Sequence, residues 1–242
     1  MENKVFEIKE NRLIARNTWK MALTGDAGAI TRPGQFVNIK VNGFFLRRPL
    51  SVCDWDRDSL TLIYKAVGQG TKYMTALAPG KTLDLLTGLG NGFDTAKSGG
   101  APLCIGGGAG LPPLYALAKA LLREGKQATV LAGFNAEDEV FFEEEFSALG
   151  AKLLIATADG SRGTKGFVTD ALPAAYSYVY TCGPQPMLKA VYDKTVTGGQ
   201  YSFEERMGCG FGACMGCTCK TKYGNKRICK DGPVLEKEEI LW

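Results

Sequence analysis

The chain has 242 residues, of which 45% are hydrophobic and 22% are charged, a composition typical of a globular protein with a sizeable core. Its formal net charge of +4 comes from scattered basic residues, which argues against a nucleic-acid-binding surface. No stretch approaches 18 apolar residues and the N-terminus has no apolar signal segment, so we expect no membrane association and a cytoplasmic protein.

Histidine is absent from the chain. The commonest general acid or base at neutral pH is therefore missing, and any chemistry has to come from a carboxylate, a lysine, a thiol or a bound cofactor. Together with the cysteine motif described below, the absence of histidine favours electron transfer over hydrolysis.

Residues 1–96 have the pattern of a small β-barrel. Turn residues such as Pro33-Gly34 and Pro79-Gly80 precede short segments that are rich in β-branched and apolar residues. We predict strands at 36–41, 60–67 and 82–86, and a short helix at 73–77. Regularly spaced strands with glycine-rich corners predict an antiparallel barrel.

Two short motifs in this first region have the chemistry of an anion site. Arg47-Arg48-Pro49-Leu50-Ser51 places a guanidinium, a rigid turn and a hydroxyl side by side, which suits a phosphate or diphosphate. Gly68-Gln69-Gly70-Thr71 lies between a predicted strand and a helix, where backbone N–H groups are free to bind an anion. Either motif alone is also compatible with a surface turn.

Residues 97–199 alternate strands with helices and predict a parallel sheet covered on both faces. An apolar run at 102–105 leads into the glycines Gly106, Gly108 and Gly110, and apolar residues then recur with helical spacing from 114 to 122. The order of strand, glycine loop and helix predicts the start of a nucleotide-binding α/β unit, in which the dinucleotide lies over the N-terminus of the helix. We predict further strands at 129–134, 152–156 and 178–181, and helices at 137–149, 167–172 and 186–195.

The residues after the second strand of this unit bear on the choice of nucleotide. The segment 134–138 contains Glu137 and Asp138 and no Arg or Lys, which favours a ribose hydroxyl, and hence NAD, over a 2′-phosphate. Arg162 leaves NADP as the alternative nucleotide. Cys182 and Gly183 follow the last strand, where doubly wound sheets bind ligands, so the Cys182 thiol either borders the nicotinamide or is a small buried residue.

Residues 200–242 contain the most specific motif of the chain. Cys209, Cys214, Cys217 and Cys229 have the spacing C-x4-C-x2-C-x11-C, which is typical of a plant-type 2Fe-2S cluster held by four thiolates. A zinc site is the alternative, although only Cys214-x2-Cys217 fits its usual spacing. Cys219 is left without a ligand role, and a Rieske centre is excluded because the chain has no histidine.

Together, Arg48-Pro49-Leu50-Ser51, Gly70-Thr71, the GxGxxP loop at 108–113 and Cys182-Gly183-Pro184 resemble the ferredoxin-NADP reductase family. The cluster motif after these two regions resembles that of class 1B dihydroorotate dehydrogenase electron-transfer subunits. The resemblance implies an FAD-binding barrel followed by a domain for NAD(H). It assigns FAD contacts to Arg48, Pro49, Leu50, Ser51, Ile63, Tyr64, Lys65, Gly70 and Thr71. Many reductases have a flavin-stacking Tyr where this chain has Leu50.

The resemblance also implies a reaction and a partner. FAD would accept hydride from NADH and pass single electrons to the cluster. An FMN-containing catalytic subunit would oxidise dihydroorotate to orotate in pyrimidine synthesis, with two copies of each chain in a heterotetramer. Two alternatives remain: an electron-transfer subunit of another complex, such as a sulfite reductase, hydrogenase or transhydrogenase, and a zinc-stabilised nucleotide-binding regulator.

Overall fold

The structure, a computed structural model, describes residues 1–242 and begins with a closed antiparallel β-barrel. The six strands lie in the order β1-β2-β5-β4-β3-β6, and β1 pairs with β6 to close the barrel. Their bounds are β1 (Glu2–Ala15), β2 (Thr18–Thr24), β3 (Phe36–Ile39), β4 (Arg48–Trp55), β5 (Ser59–Lys65) and β6 (Thr82–Leu89), with helix α1 (Gln69–Thr75) between β5 and β6.

Alternating side chains of these strands fill the barrel with an apolar core that includes Phe6, Met21, Leu62 and Leu85. The antiparallel barrel predicted for the first region is confirmed, and the predicted helix begins four residues earlier than expected. The pattern analysis named no strand before residue 36, whereas β1 and β2 form a long hairpin there. Its many charged residues lie on the outer face, where they hide the apolar alternation.

The second region is a parallel sheet with helices on both faces, as predicted. Its elements are β7 (Pro102–Gly107), α2 (Pro112–Arg123), β8 (Thr129–Phe134), α3 (Glu143–Ala148), β9 (Lys152–Thr157), β10 (Thr164–Lys165), β11 (Tyr178–Cys182), α4 (Gln185–Lys194) and β12 (Gly199–Ser202). Helix α2 begins with two prolines, whose missing N–H groups cost little in the first turn, and buries Leu114, Leu117 and Leu121 completely.

Two predicted helices of this region are wrong in extent. The helix expected at 137–149 is a 3-10 turn at Glu137–Glu139 followed by α3, and the helix expected at 167–172 is a 3-10 turn at Val168–Asp170. Phe142 interrupts the first one because its φ of +70° is left-handed and ends the helical hydrogen-bonding pattern. The ring of Phe142 is buried against Tyr115 and Phe146, so packing outweighs helix propensity here.

The last region has little regular structure: a hairpin of β13 (Thr218–Thr221) and β14 (Gly224–Arg227), and a final strand β15 (Val234–Glu236). Strand β15 pairs antiparallel with β12 and completes a seven-stranded sheet in the order β10-β9-β8-β7-β11-β12-β15. The sequence-based boundary after residue 199 falls within β12, and the division into 1–96, 97–199 and 200–242 stays a prediction. No helix is long and apolar enough to cross a membrane.

Polar contacts join the regions. Lys119 of α2 pairs with Asp54 of β4 at 2.7 Å. Arg16, in the turn between β1 and β2, pairs with Glu139 of the α/β region at 2.7 Å. Asn91, after the barrel, donates from its side-chain amide to the carbonyl of Val234 at 2.8 Å. The barrel is therefore held against both of the other regions, and the candidate site lies where they meet.

Candidate electron-transfer site

A cavity of about 540 Å³ opens where the barrel, the α/β region and the start of the last region meet. Each of the three contributes to its wall: Lys65 comes from the barrel, Gly108 and Gly183 follow strands of the sheet, and Glu204 lies just after β12. The loops that follow β7 and β11 both face it, at the carboxyl ends of parallel strands. This is where doubly wound sheets bind nucleotides.

The predicted glycines have different roles in this structure. A Cβ on Gly110 would lie 2.1 Å from the carbonyl oxygen of Cys182, so the loops after β7 and β11 approach each other only because this residue is glycine. Gly108, with a φ of +50°, lines the cavity. Gly106 does not line it; its missing side chain leaves room for Leu111 and Leu114 to pack helix α2 against β7.

A buried carboxylate fixes a lysine at the edge of the glycine loop. Lys65 Nζ lies 3.2 Å from Glu139, and the same carboxylate accepts hydrogen bonds from Arg16 at 2.7 Å and from Asn135 at 3.0 Å. Burial raises the pKa of Glu139, but Arg16 and Lys65 outweigh it, so the pKa lies below its ordinary value. Glu139 is therefore charged, and Lys65 is held near Gly108, where a diphosphate would lie. Sequence analysis missed Glu139.

The residues after β11 form another part of the cavity wall, beside the glycine loop. Gly183 lines it, whereas the Cys182 side chain is 2% exposed and is not part of the wall. Burial, followed by the nearby Glu204 carboxylate, raises the pKa of the Cys182 thiol to about 12. Glu204 is exposed where it lines the cavity, and the protein that shields part of its carboxyl group raises the pKa of that group. Sequence analysis also missed this carboxyl group.

An exposed aromatic ring stands at the rim of the cavity. The Phe167 side chain lines the cavity while 72% of the residue is exposed. Its backbone is fixed, because its N–H donates to Asp170 at 2.7 Å and Gly166 before it has a φ of +122°. An apolar ring held in water beside a nucleotide-sized cavity offers a flat surface for stacking.

The two motifs predicted to bind FAD meet in the structure. A Cβ on Gly70 would lie 2.3 Å from the Arg48 guanidinium, so Arg48 lies directly on the backbone of Gly70. The guanidinium also stacks over the Phe44 ring at 4.8 Å and donates to the carbonyl of Leu46 at 2.5 Å. This geometry fits a diphosphate group, because a cation is held in place at the start of helix α1.

Several other candidate FAD residues direct their side chains elsewhere. Tyr64 is 2% exposed and donates from its hydroxyl to Asn11 at 2.9 Å, and burial raises its pKa to about 12. The Thr71 hydroxyl accepts hydrogen bonds from the N–H groups of Val67 and Gly68, both at 3.1 Å. Ile63 is buried and Leu50 packs against the barrel core. Flavin contacts from Ile63 and Tyr64 therefore require their backbone atoms.

The four motif cysteines lie in two pairs. Cys209 and Cys214 each donate a backbone N–H to the other's sulfur at 3.4 Å, and the N–H of Cys229 donates to the sulfur of Cys217 at 3.4 Å. The Cys209 sulfur accepts a further N–H from Ala213 at 3.2 Å. No three or more His, Cys, Asp or Glu side chains are grouped so that they could hold one metal ion.

The local electrostatics suits thiolate ligands at one pair. Burial raises the pKa of Cys209, but the N–H groups of Cys214, Phe211 and Ala213 outweigh it and lower the pKa to about 6. Burial and the adjacent Cys217 thiol raise the pKa of Cys229 to about 12, so this ligand needs a bound metal to lose its proton. Paired thiols with N–H groups directed at sulfur fit a 2Fe-2S cluster, in which each iron takes two of the four thiolates.

Two side chains from outside the loop 208–216 hold this loop. Arg227 donates to the carbonyl of Gly212 at 3.0 Å while forming an ion pair with Asp231 at 3.0 Å. Asn38 of barrel strand β3 donates from its amide to the carbonyl of Cys209 at 3.3 Å. Cys219, on strand β13, is half-buried, and burial raises the pKa of its thiol. Sequence analysis missed Asn38, which is 171 residues away from Cys209 in the chain, and Arg227, which lies between Cys217 and Cys229.

Comparisons with known proteins agree with this arrangement. Residues 204–241 match the family described as the iron-sulfur cluster binding domain of dihydroorotate dehydrogenase B, and residues 104–193 match the oxidoreductase NAD-binding domain family. A dihydroorotate dehydrogenase B (NAD(+)) electron transfer subunit from Geobacillus is 42% identical over 100% of this chain and 99% of its own length. The subunit of the same name from Fusobacterium nucleatum is 42% identical over 96% of both chains.

Solved structures share the fold. A chain from the structure of an NADH-dependent reduced ferredoxin-NADP oxidoreductase superposes with a TM-score of 0.89 at 30% identity, covering 98% of this chain and 90% of that one. A cytochrome P450 reductase from Amycolatopsis superposes with a TM-score of 0.72 at 23% identity, covering 80% of this chain and 65% of that one, and supports the fold alone.

The fold and the matched domains define the class: an oxidoreductase with a ferredoxin reductase fold, which uses FAD and NAD(H) and carries a 2Fe-2S module. Within this class, the chain belongs to the family of dihydroorotate dehydrogenase B (NAD(+)) electron transfer subunits. Membership in a family with an iron-sulfur domain favours the cluster over the zinc-stabilised regulator considered from the sequence.

Proposed function

We propose that this chain carries electrons between NAD(H) and a separate FMN-containing catalytic subunit that oxidises dihydroorotate to orotate in pyrimidine synthesis. One observation carries the proposal. Glu204, in the wall of the nucleotide cavity, is only five residues before Cys209, and Asn38 of the barrel touches the backbone of Cys209. The regions for all three redox groups therefore meet within one chain.

Bound FAD and the cluster would supply the conversion between a two-electron hydride and single electrons. The residues of this chain have to bind these groups and orient them. We assign the FAD diphosphate to Arg48 and the backbone at Gly70 and Thr71. The flavin contacts then fall to Pro49, Leu50 and Ser51 of β4 and to the backbone of Ile63, Tyr64 and Lys65 in β5. This assignment rests on the contact of Arg48 with Gly70 and on the resemblance of these segments to the reductase family.

The order of the strands supports a proposed direction for the dinucleotide in the cavity. The diphosphate would lie over Gly108 and Gly110, with Lys65 beside it. Strand β11 lies on one side of β7 and strands β8 and β9 on the other, so the two halves of NAD(H) point towards different strands. We place the nicotinamide towards Cys182 and Gly183, next to the barrel, and the adenine towards Phe167.

We propose NAD(H) rather than NADP(H) as the nucleotide. Arg162 is the cation that kept NADP open, and its guanidinium pairs with Glu143 at 2.9 Å. The segment after β8 ends in Glu137 and Asp138, whose charges disfavour a 2′-phosphate. To bind the 2′-phosphate of NADP, Arg162 would have to break its ion pair with Glu143.

The surface around the least buried cysteine supports a docking site for the catalytic subunit. Cys214 is exposed, and beside it Phe211 and Met215 are 41% and 53% exposed. Apolar side chains around an exposed cluster ligand favour a protein partner, because they shorten the electron path and are covered on binding. We propose a heterotetramer with two copies of each chain, working in the cytoplasm.

A second candidate rests on the solved NADH-dependent reduced ferredoxin-NADP oxidoreductase. Its chain covers 98% of this one with a TM-score of 0.89, so the same three regions occur in an enzyme with another name and another reaction. Service to a complex other than dihydroorotate dehydrogenase is therefore the alternative. The FMN chain that co-purifies with this protein, and the substrate which that chain oxidises, distinguish the two.

The test is reconstitution. The chain, purified without oxygen, should contain FAD, two irons and two acid-labile sulfides, and addition of an FMN-containing dihydroorotate dehydrogenase chain should allow dihydroorotate to reduce NAD. A colourless protein that contains zinc would contradict the cofactor assignment. A protein that contains FAD and the cluster but cannot couple to dihydroorotate oxidation would instead favour the alternative complex.

A further inference from the structure

Asn38 is a buried polar residue that no motif of the sequence explains. It lies on β3 with 1% of its surface exposed, surrounded on the same strand by Phe36, Val37 and Ile39. Its side-chain oxygen has no hydrogen-bond partner, and its side-chain amide has one, the carbonyl of Cys209. A buried acceptor without a partner destabilises a protein, so the packing of the barrel does not account for this residue.

The carbonyl of Cys209 determines the orientation of the Asn38 side-chain amide. The carbonyl of Cys209 can only accept, so the nitrogen of the Asn38 side chain has to face it. Gly210 makes this approach feasible: its φ is +78°, and a Cβ at this position would lie 2.3 Å from the Asn38 nitrogen. The first cluster-ligand segment and the barrel strand therefore touch through a single amide and a bare backbone.

The other side of Asn38 faces the segment assigned to FAD. In the register of β3 and β4, Asn38 is opposite Pro49. The Asn38 carbonyl accepts a hydrogen bond from Arg47 at 3.2 Å, and Arg47 also pairs with Asp84 of β6 at 2.7 Å. Strand β3 is thus held at this point from both neighbouring strands, and Asn38 is a fixed point between Pro49 and Cys209.

We infer that Asn38 is a positioning residue, which holds the backbone of Cys209 at a fixed place relative to the flavin-binding strand. The N–H groups that follow Cys209 point at its sulfur, at 3.2 Å for Ala213 and 3.4 Å for Cys214. Release of the Cys209 carbonyl frees this loop, which weakens those N–H contacts and the alignment of the cluster with the flavin. The inference rests on the cluster ligands of the proposed function.

The test uses the full chain with FAD and cluster bound. Asn38→Asp keeps the shape and removes the donor, Asn38→Leu removes it without adding charge, and Asn42→Asp, on the exposed loop of the same barrel, is the control for charge. After anaerobic mixing with NADH, flavin bleaching should be unchanged and cluster bleaching at least fivefold slower in both Asn38 variants, the factor that corresponds to one hydrogen bond. The cluster midpoint potential should fall and its EPR g values should change, because N–H contacts to sulfur favour the reduced cluster.

The possible outcomes distinguish a failure of the inference about Asn38 from a failure of the proposed function. Asn38 variants that retain the potential, the g values and the bleaching rate of the unmodified chain would overturn the role of Asn38 alone. A folded Asn38 variant that keeps FAD and loses iron would support it, because the loop then depends on this amide. If Asn38→Asp does not fold, Asn38→Leu decides. Absence of iron from the unmodified protein would instead overturn the proposed function.

Discussion

The barrel and the α/β region on one side, and the cysteine loop on the other, are stabilised in different ways. The first two are built from long pairs of strands around apolar cores, and residues such as Phe6, Leu62, Leu117 and Val130 are fully buried. The loop 208–216 has no strand or helix, and its order comes from positive-φ glycines, N–H groups on sulfur and the contacts of Arg227 and Asn38. Large buried apolar cores specify the first two regions, whereas the loop is specified by these few local contacts.

This difference predicts that the cluster can be removed without unfolding the rest. We expect Cys214→Ser to abolish the iron–sulfur absorbance and electron transfer to the catalytic subunit, while FAD and NAD(H) binding persist, because Cys214 is exposed and does not line the nucleotide cavity. Iron analysis, the visible spectrum and the coupled assay measure these effects. Cys219→Ser is the matched control and should keep its cluster. Loss of FAD from Cys214→Ser would show that the two regions are not independent.

Within the barrel, the largest effect is expected at the FAD diphosphate. Arg48→Ala removes the cation next to Gly70, and FAD affinity should fall about 10- to 100-fold, as for a lost hydrogen bond to a charged group. Equilibrium dialysis with flavin fluorescence measures the change. Arg57→Ala, at an exposed turn of the same barrel, should bind FAD normally. Equal FAD affinity in both variants would remove Arg48 from the site.

A smaller effect is expected at the rim of the nucleotide cavity. Phe167→Ala should weaken ADP-ribose and NADH binding about 5- to 10-fold, as expected for a lost aromatic stack, and leave reduced nicotinamide mononucleotide unaffected. Calorimetric titration of the three ligands separates the adenine half from the nicotinamide half. Phe211→Ala, on the cysteine loop, is the control and should not alter any of the three. An effect of Phe167→Ala on the mononucleotide would reverse the proposed direction of the dinucleotide.

The smallest effect concerns the ion pair between barrel and α/β region. The pKa of Glu139 lies below its ordinary value of 4.5, so its charge stabilises the folded chain at neutral pH, and this contribution is lost as the pH falls from about 4.5 through the folded pKa. Glu139→Gln should therefore lower the free energy of unfolding by about 1 kcal/mol at pH 7. The difference should shrink as the pH falls below 4.5. Urea titrations at pH 7 and at pH 3.5 measure it, and a constant difference would contradict the ion pair.

The sequence could predict what depends on local pattern. The cysteine spacing, the glycine loop before α2 and the barrel strands are each encoded within about 20 residues, and the structure has the barrel and the sheet that they indicate. The pairing of Arg16 with Glu139 spans 123 residues and that of Asn38 with Cys209 spans 171, and no local pattern marks either. The break at Phe142 was missed for a similar reason, because its ring packs against Tyr115 of helix α2, a different element of the chain.

The pairing of β12 with β15 has an evolutionary and practical consequence. The iron–sulfur segment leaves the sheet after Ser202 and returns at Val234, and these two residues are register partners on adjacent strands. The whole excursion is therefore an insert between neighbouring strands, anchored at both ends, and not a tethered shuttle that swings between docking positions. Such an insert can be gained or lost without a change in the topology of the reductase core. Because the insert is fixed at both ends, the catalytic partner has to dock where the cluster lies.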